Sequence, residues 1–106
     1  METLTNMTFK DLAQLVNAIA EKFFRTRQTN ADYIRQNPLS DIDENAYLLK
    51  VQKAYNSLSE NEKNLINNEF FYQSYTWWWK ALYSKATFYR YKREAMRKFL
   101  EAFYNE

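Results

Sequence analysis

The sequence predicts an all-α fold in a single domain of about five helices, and three observations carry that reading. The 106 residues contain no Gly and one Pro, whereas a β-rich chain needs Gly at tight hairpins and bulges. Apolar residues recur at i, i+3, i+4 and i+7 spacing over long stretches, the period of a helix with one buried face. Hydrophobic residues make up 46% and charged residues 26%, a composition that folds around one modest core and leaves no disordered linker between domains.

Thr8, with Asp11 three residues on, resembles a capping box that opens the first helix, at about residues 8–27. Phe9, Leu12, Leu15, Val16, Ile19, Ala20, Phe23 and Phe24 form its apolar stripe. Lys22, Arg25 and Arg27 suit its C-terminal end, where the helix dipole favours cations. Asn30 is placed to cap a short helix through Gln36. Asn37-Pro38 then ends it, because a residue before proline is pushed out of the α region.

Ser40 with Asp43 starts the next helix, at about residues 41–57, with Tyr47, Val51, Ala54, Tyr55 and Leu58 as its stripe. Asp41, Asp43 and Asn45 imitate the start of a calcium loop. Ala46 and Gln52 stand where that loop needs Gly and Glu, so the match is rejected. Ser59 and Glu62 form the best capping box in the chain. The helix after it covers about residues 60–72, with Leu65, Ile66, Glu69 and Phe70 on one side. Thr76 can cap a short helix holding Trp77, Trp78, Trp79 and Leu82. Three adjacent tryptophans cannot face one way, so at least one belongs to the core. Ser84 is an N-cap for the last helix, at about residues 85–104. Its stripe is Phe88, Tyr91, Ala95, Phe99, Ala102 and Phe103. Residues 8–57 thus hold the N-terminal helices of the single domain 1–106, and residues 58–104 its C-terminal region.

Charge is unevenly placed. From Lys80 to Lys98 there are seven Lys or Arg against the single acid Glu94, so this short stretch carries +6 of a chain whose total is +2. Such concentration in one amphipathic helix suits a nucleic-acid surface. The same pattern also describes a core helix with a solvated face, a membrane-surface helix, or one that docks on an acidic partner.

Cys and His are absent, which removes disulfides, Cys/His zinc sites, a thiol nucleophile and His acid–base chemistry. There is no convergent carboxylate pair. No enzymatic activity, metal or cofactor is therefore expected. Met1 to Lys10 lacks a positive start followed by an apolar run. The longest charge-free stretch, Phe70 to Trp79, is interrupted by Gln73, Ser74 and Thr76 and falls short of the ~20 residues that span a bilayer. A cytoplasmic protein without a membrane partner is expected.

The order of a helix opened by Leu58-Ser59-Glu60-Asn61-Glu62, a short helix, a tight turn, and then Ser84-Lys85-Ala86-Thr87-Phe88-Tyr89-Arg90 with Ala95 resembles a helix-turn-helix. It resembles the fourth region of bacterial sigma factors, and more closely the phage late-transcription regulators of the ArpU and RinA kind, over about residues 54–103. The chain departs from those families in carrying Trp78 where a small residue is usual, and Leu82 or Tyr83 where the turn usually has Gly. The resemblance implies a DNA-binding transcriptional regulator whose last helix enters the major groove. Lys85, Ala86, Thr87 and Tyr89 would lie in the groove-entering turns. Arg90, Lys92, Arg93 and Arg97 would contact phosphates or a guanine edge. Double-stranded DNA is the expected partner. A homodimer or RNA polymerase would supply the remaining specificity. The alternative is a helical adaptor that binds RNA polymerase or another protein through its aromatic and basic surface.

Overall fold

Thr8 opens the first helix as its spacing predicts. The Asp11 amide donates to the Thr8 hydroxyl (3.1 Å), and the Thr8 amide donates back to the Asp11 carboxylate (3.4 Å). The computed structural model describes residues 7–36, 42–72 and 77–105. Among them are four α-helices and no strand: α1 (Phe9–Gln36), α2 (Ile42–Asn56), α3 (Glu60–Ile66) and α4 (Lys85–Tyr104). A π-helical turn, Asn67–Phe71, prolongs α3.

The all-α class stands, with fewer helices than the sequence suggests. α1 runs unbroken to Gln36, so Asn30 lies inside it and caps no separate helix. No Gly or Pro stands between Arg27 and Gln36 to stop it. The expected break at Asn37-Pro38 and the expected caps Ser40 and Thr76 lie outside the described residues. Trp77–Leu82 forms successive turns in place of a short helix. The Lys80 amide donates to the Trp77 carbonyl, and the Leu82 and Tyr83 amides share the Trp79 carbonyl. Within these turns Trp79 faces inward while Trp77 stays out.

The capping box at α3 is complete: the Glu62 amide donates to the Ser59 hydroxyl and the Ser59 amide to the Glu62 carboxylate. The Tyr72 amide closes the π turn on the Asn67 carbonyl (2.8 Å). No described residue has positive φ, so these helices end without the left-handed residue that Gly usually supplies. α4 ends at Asn105 with φ −101°.

α4 packs on α1, α2 and α3, and α1 also packs on α2 and on the π turn. The core joins Leu12, Val16, Ile19 and Phe23 of α1 to Val51 of α2, Ile66 of α3 and Phe88, Phe99 and Phe103 of α4. Met96 and Leu100 of α4 are also fully buried, whereas Tyr91 is largely exposed. The buried face of α4 is thus rotated from the expected stripe. Tyr91 lies edge-on against Tyr83 at 5.3 Å instead of entering the core.

Candidate nucleic-acid interface

The site is built on α4 and on the turns before it. Ser84 fixes the start of the helix: the Thr87 amide donates to its hydroxyl (3.2 Å), and that hydroxyl donates to the Thr87 hydroxyl (2.9 Å). Thr87 is therefore half-buried and committed to the cap. Behind the first turn, Phe88 stacks flat on the buried Trp79, with centroids 4.3 Å apart and planes 7° from parallel. Trp78 meets Phe88 edge-on. This aromatic block sets the angle at which α4 leaves the core.

Ala86, Tyr89, Arg90, Arg93 and Arg97 share one side of α4, at i, i+3, i+4, i+7 and i+11 spacing. Ala86, Tyr89, Arg90 and Arg93 are exposed, as is Lys85. Tyr89 is 41% exposed and is braced from below by Phe9 and Trp79. The Arg90 guanidinium lies over the Tyr91 ring. Arg93 donates to the Met7 carbonyl (3.0 Å), which ties the start of α1 to the basic helix. Lys80 stands over the exposed Trp77.

Three other cations of the basic stretch are neutralised. Lys92, expected to face a nucleic acid, points the other way. Its ammonium lies 2.6 Å from the Glu69 carboxylate, with the two side chains 15% and 16% exposed, and it is ringed by Phe9, Phe70 and Phe88. Arg97 is gripped by Glu94 and by Glu101. The hydrogen bonds it donates, first to Glu94 and then to Glu101, hold its guanidinium above the ordinary arginine pKa, against the effect of burial. Lys98 pairs with Glu62 (2.9 Å), and that hydrogen bond raises the lysine pKa. At Glu62 burial pushes the carboxyl upward. The Ser59 amide and the Lys98 ammonium outweigh it, and the net shift is downward.

The fold therefore divides the basic stretch in two. Lys80, Lys85, Arg90 and Arg93 have no carboxylate partner among the described residues; the last three lie on the N-terminal half of α4 and Lys80 in the turns before it. Lys92, Arg97 and Lys98 are paired, and the latter two lie toward the C-terminal half. Sequence reasoning missed Glu69 as the residue that removes Lys92. Its signal was present, since a carboxylate shares a helix side with Leu65, Ile66 and Phe70. No cluster of three or more potential metal ligands occurs among the described residues, and no helix among them is long and apolar enough to cross a membrane.

Fold and surface together define a small all-α domain whose last helix offers a basic and aromatic N-terminal half. No family model matches this chain, and no curated protein or solved structure is significantly similar to it.

Proposed function

We propose that the chain is a DNA-binding transcriptional regulator that applies the N-terminal half of α4 to the major groove. One observation carries the reading: Lys85, Arg90 and Arg93, without a carboxylate partner among the described residues, flank the exposed Ala86 and Tyr89 on the N-terminal half of α4, and Lys80, likewise without one, stands in the turns before it. The first turns of a recognition helix are the part that reaches base edges. Ala86 is small enough for contact with a thymine methyl, and Arg90 has the fork that reads guanine. Lys80, Lys85 and Arg93 suit phosphates. A homodimer or RNA polymerase supplies the rest of the specificity.

The test is binding to random duplex DNA across a salt series. Three phosphate contacts, from Lys80, Lys85 and Arg93, predict a log–log slope of about −2.7 per monomer. Only a weak, sequence-blind background at about 50 mM salt, where electrostatic binding is strong, would overturn the reading.

A second reading is supported by Trp77 and Leu82, which are 56% and 62% exposed beside Lys80. Large exposed apolar groups next to cations suit a protein contact. An adaptor of this kind would take an acidic partner such as RNA polymerase. It would need Trp77 and Lys80 for capture, with no measurable preference for duplex DNA.

A further inference from the structure

A cavity of about 330 Å³ opens where α1, α2 and the π turn meet, away from the basic face of α4. The π turn supplies part of its wall. Phe71 at the end of that turn forms its inner wall and meets Phe23 edge-on at 5.6 Å and Tyr55 edge-on at 6.3 Å. Asn67, at the start of the same turn, enters the lining. Gln52 and Asn56, one helical turn apart on α2, line it together with Val51 and Tyr72. The lining itself holds no charged side chain; at its rim Arg27 lies over Phe23 and donates to the Tyr72 hydroxyl, and Lys63 lies over Tyr55. Gln52 and Asn56 are exposed and Asn67 is half-buried, so their carboxamides are open to a ligand from solvent. Burial raises the Tyr55 pKa, with Glu60 adding to the effect, so the Tyr55 hydroxyl stays protonated at neutral pH and can donate.

We infer that this cavity is a binding site for a neutral, planar heteroaromatic ligand of the nucleobase or nucleoside class. The lining chemistry argues for that occupant. Rings set perpendicular to one another accept a further flat ring edge-on to one and face-on to another. Carboxamides each offer a donor and an acceptor, the pattern that pairs with the edge of a purine. An uncharged lining disfavours a ligand whose charge would lose its hydration without a counter-charge. The size stands at the small end of ligand pockets, suiting one bicyclic ring with a sugar at the mouth and excluding a large cofactor. π turns also occur disproportionately at functional sites.

The test uses the full chain with adenosine as probe, followed by calorimetry and by saturation-transfer NMR read on the base protons. The expected result is saturable binding. Gln52→Leu and Asn67→Leu should each weaken it about fivefold to tenfold, the size of one lost hydrogen bond. Circular dichroism should show both variants folded. Gln52 is exposed, so its variant keeps the test valid if Asn67→Leu unfolds. Duplex DNA affinity should be unchanged in Gln52→Leu, which separates this site from α4. Absence of saturable binding up to about 1 mM adenosine, the weak end of specific affinities, would overturn the inference. So would equal binding of adenosine and toluene, or binding that both variants leave intact.

Discussion

The Glu69 carboxylate holds two side chains of the C-terminal half at once: it accepts from the Lys92 ammonium and from the Trp78 indole N–H, each at 2.6 Å. One oxygen serves each donor. The π turn is thereby fastened both to α4 and to the turns that precede it. The carboxylate and ammonium are largely shielded from water, so each depends on the other for its charge to be tolerated.

Removing one partner should therefore cost more than removing both. Glu69→Ala leaves the Lys92 ammonium stranded among Phe9, Phe70 and Phe88, and should destabilise the chain by about 3 to 5 kcal/mol. The double variant Glu69→Leu with Lys92→Met replaces the pair by apolar groups and should recover most of that loss. Urea unfolding of the two variants checks this. A double variant no more stable than Glu69→Ala would mean that the pair is not coupled.

The three adjacent tryptophans should separate cleanly. Trp79→Ala removes the ring stacked on Phe88 and should cost about 3 to 5 kcal/mol, as truncation of a large buried aromatic does. Trp77→Ala removes an exposed ring and should stay within about 0.5 kcal/mol of wild type. Thermal melts of both variants decide the matter. A marginal loss in Trp79→Ala would show that its stack contributes little.

The arginines of α4 should not be equivalent toward DNA. Arg93→Ala should reduce the salt slope by about one, through loss of a phosphate contact. Arg90→Ala should relax base preference at one position by about 1 to 3 kcal/mol. Arg97→Ala should change the slope little, because Glu94 and Glu101 already occupy its guanidinium, and it should instead lower helix stability slightly. Mobility-shift titrations at several salt concentrations distinguish the three.

Tyr47 links the fold to alkaline pH. Its hydroxyl donates to the Ile19 carbonyl (3.1 Å), and its pKa is pushed up to about 12, first by burial and then by the neighbouring Tyr104. A raised folded-state pKa favours the protonated form. The resulting stability is complete below the ordinary tyrosine pKa of 10.0 and is lost as pH rises toward about 12. Tyr47→Phe should therefore flatten the fall of melting temperature with pH across that window, and should remove a tyrosinate absorbance step that appears toward pH about 12. An unchanged alkaline limb would show that Tyr47 titrates as in the unfolded chain.

What the sequence determined by itself is what depends on neighbours a few residues away. The all-α class followed from the absent glycines and the helical spacing. The starts of α1, α3 and α4 were legible at Thr8, Ser59 and Ser84, because a cap is made by a side chain and an amide three residues on. The grip of Glu94 and Glu101 on Arg97 is equally local, at i−3 and i+4. Tertiary structure alone decided the rest. Charge counted along the chain is not charge in space: Glu69 and Glu62 arrive from α3 and its π turn to neutralise Lys92 and Lys98, which shrinks the basic surface to the start of α4. Periodicity alone did not say which tryptophan is buried, nor that α4 turns Met96 and Leu100 inward and leaves Tyr91 outside. Those outcomes depend on which face α1, α2 and α3 together enclose, since a side chain's burial is set by the elements packed around it and not by its own helix.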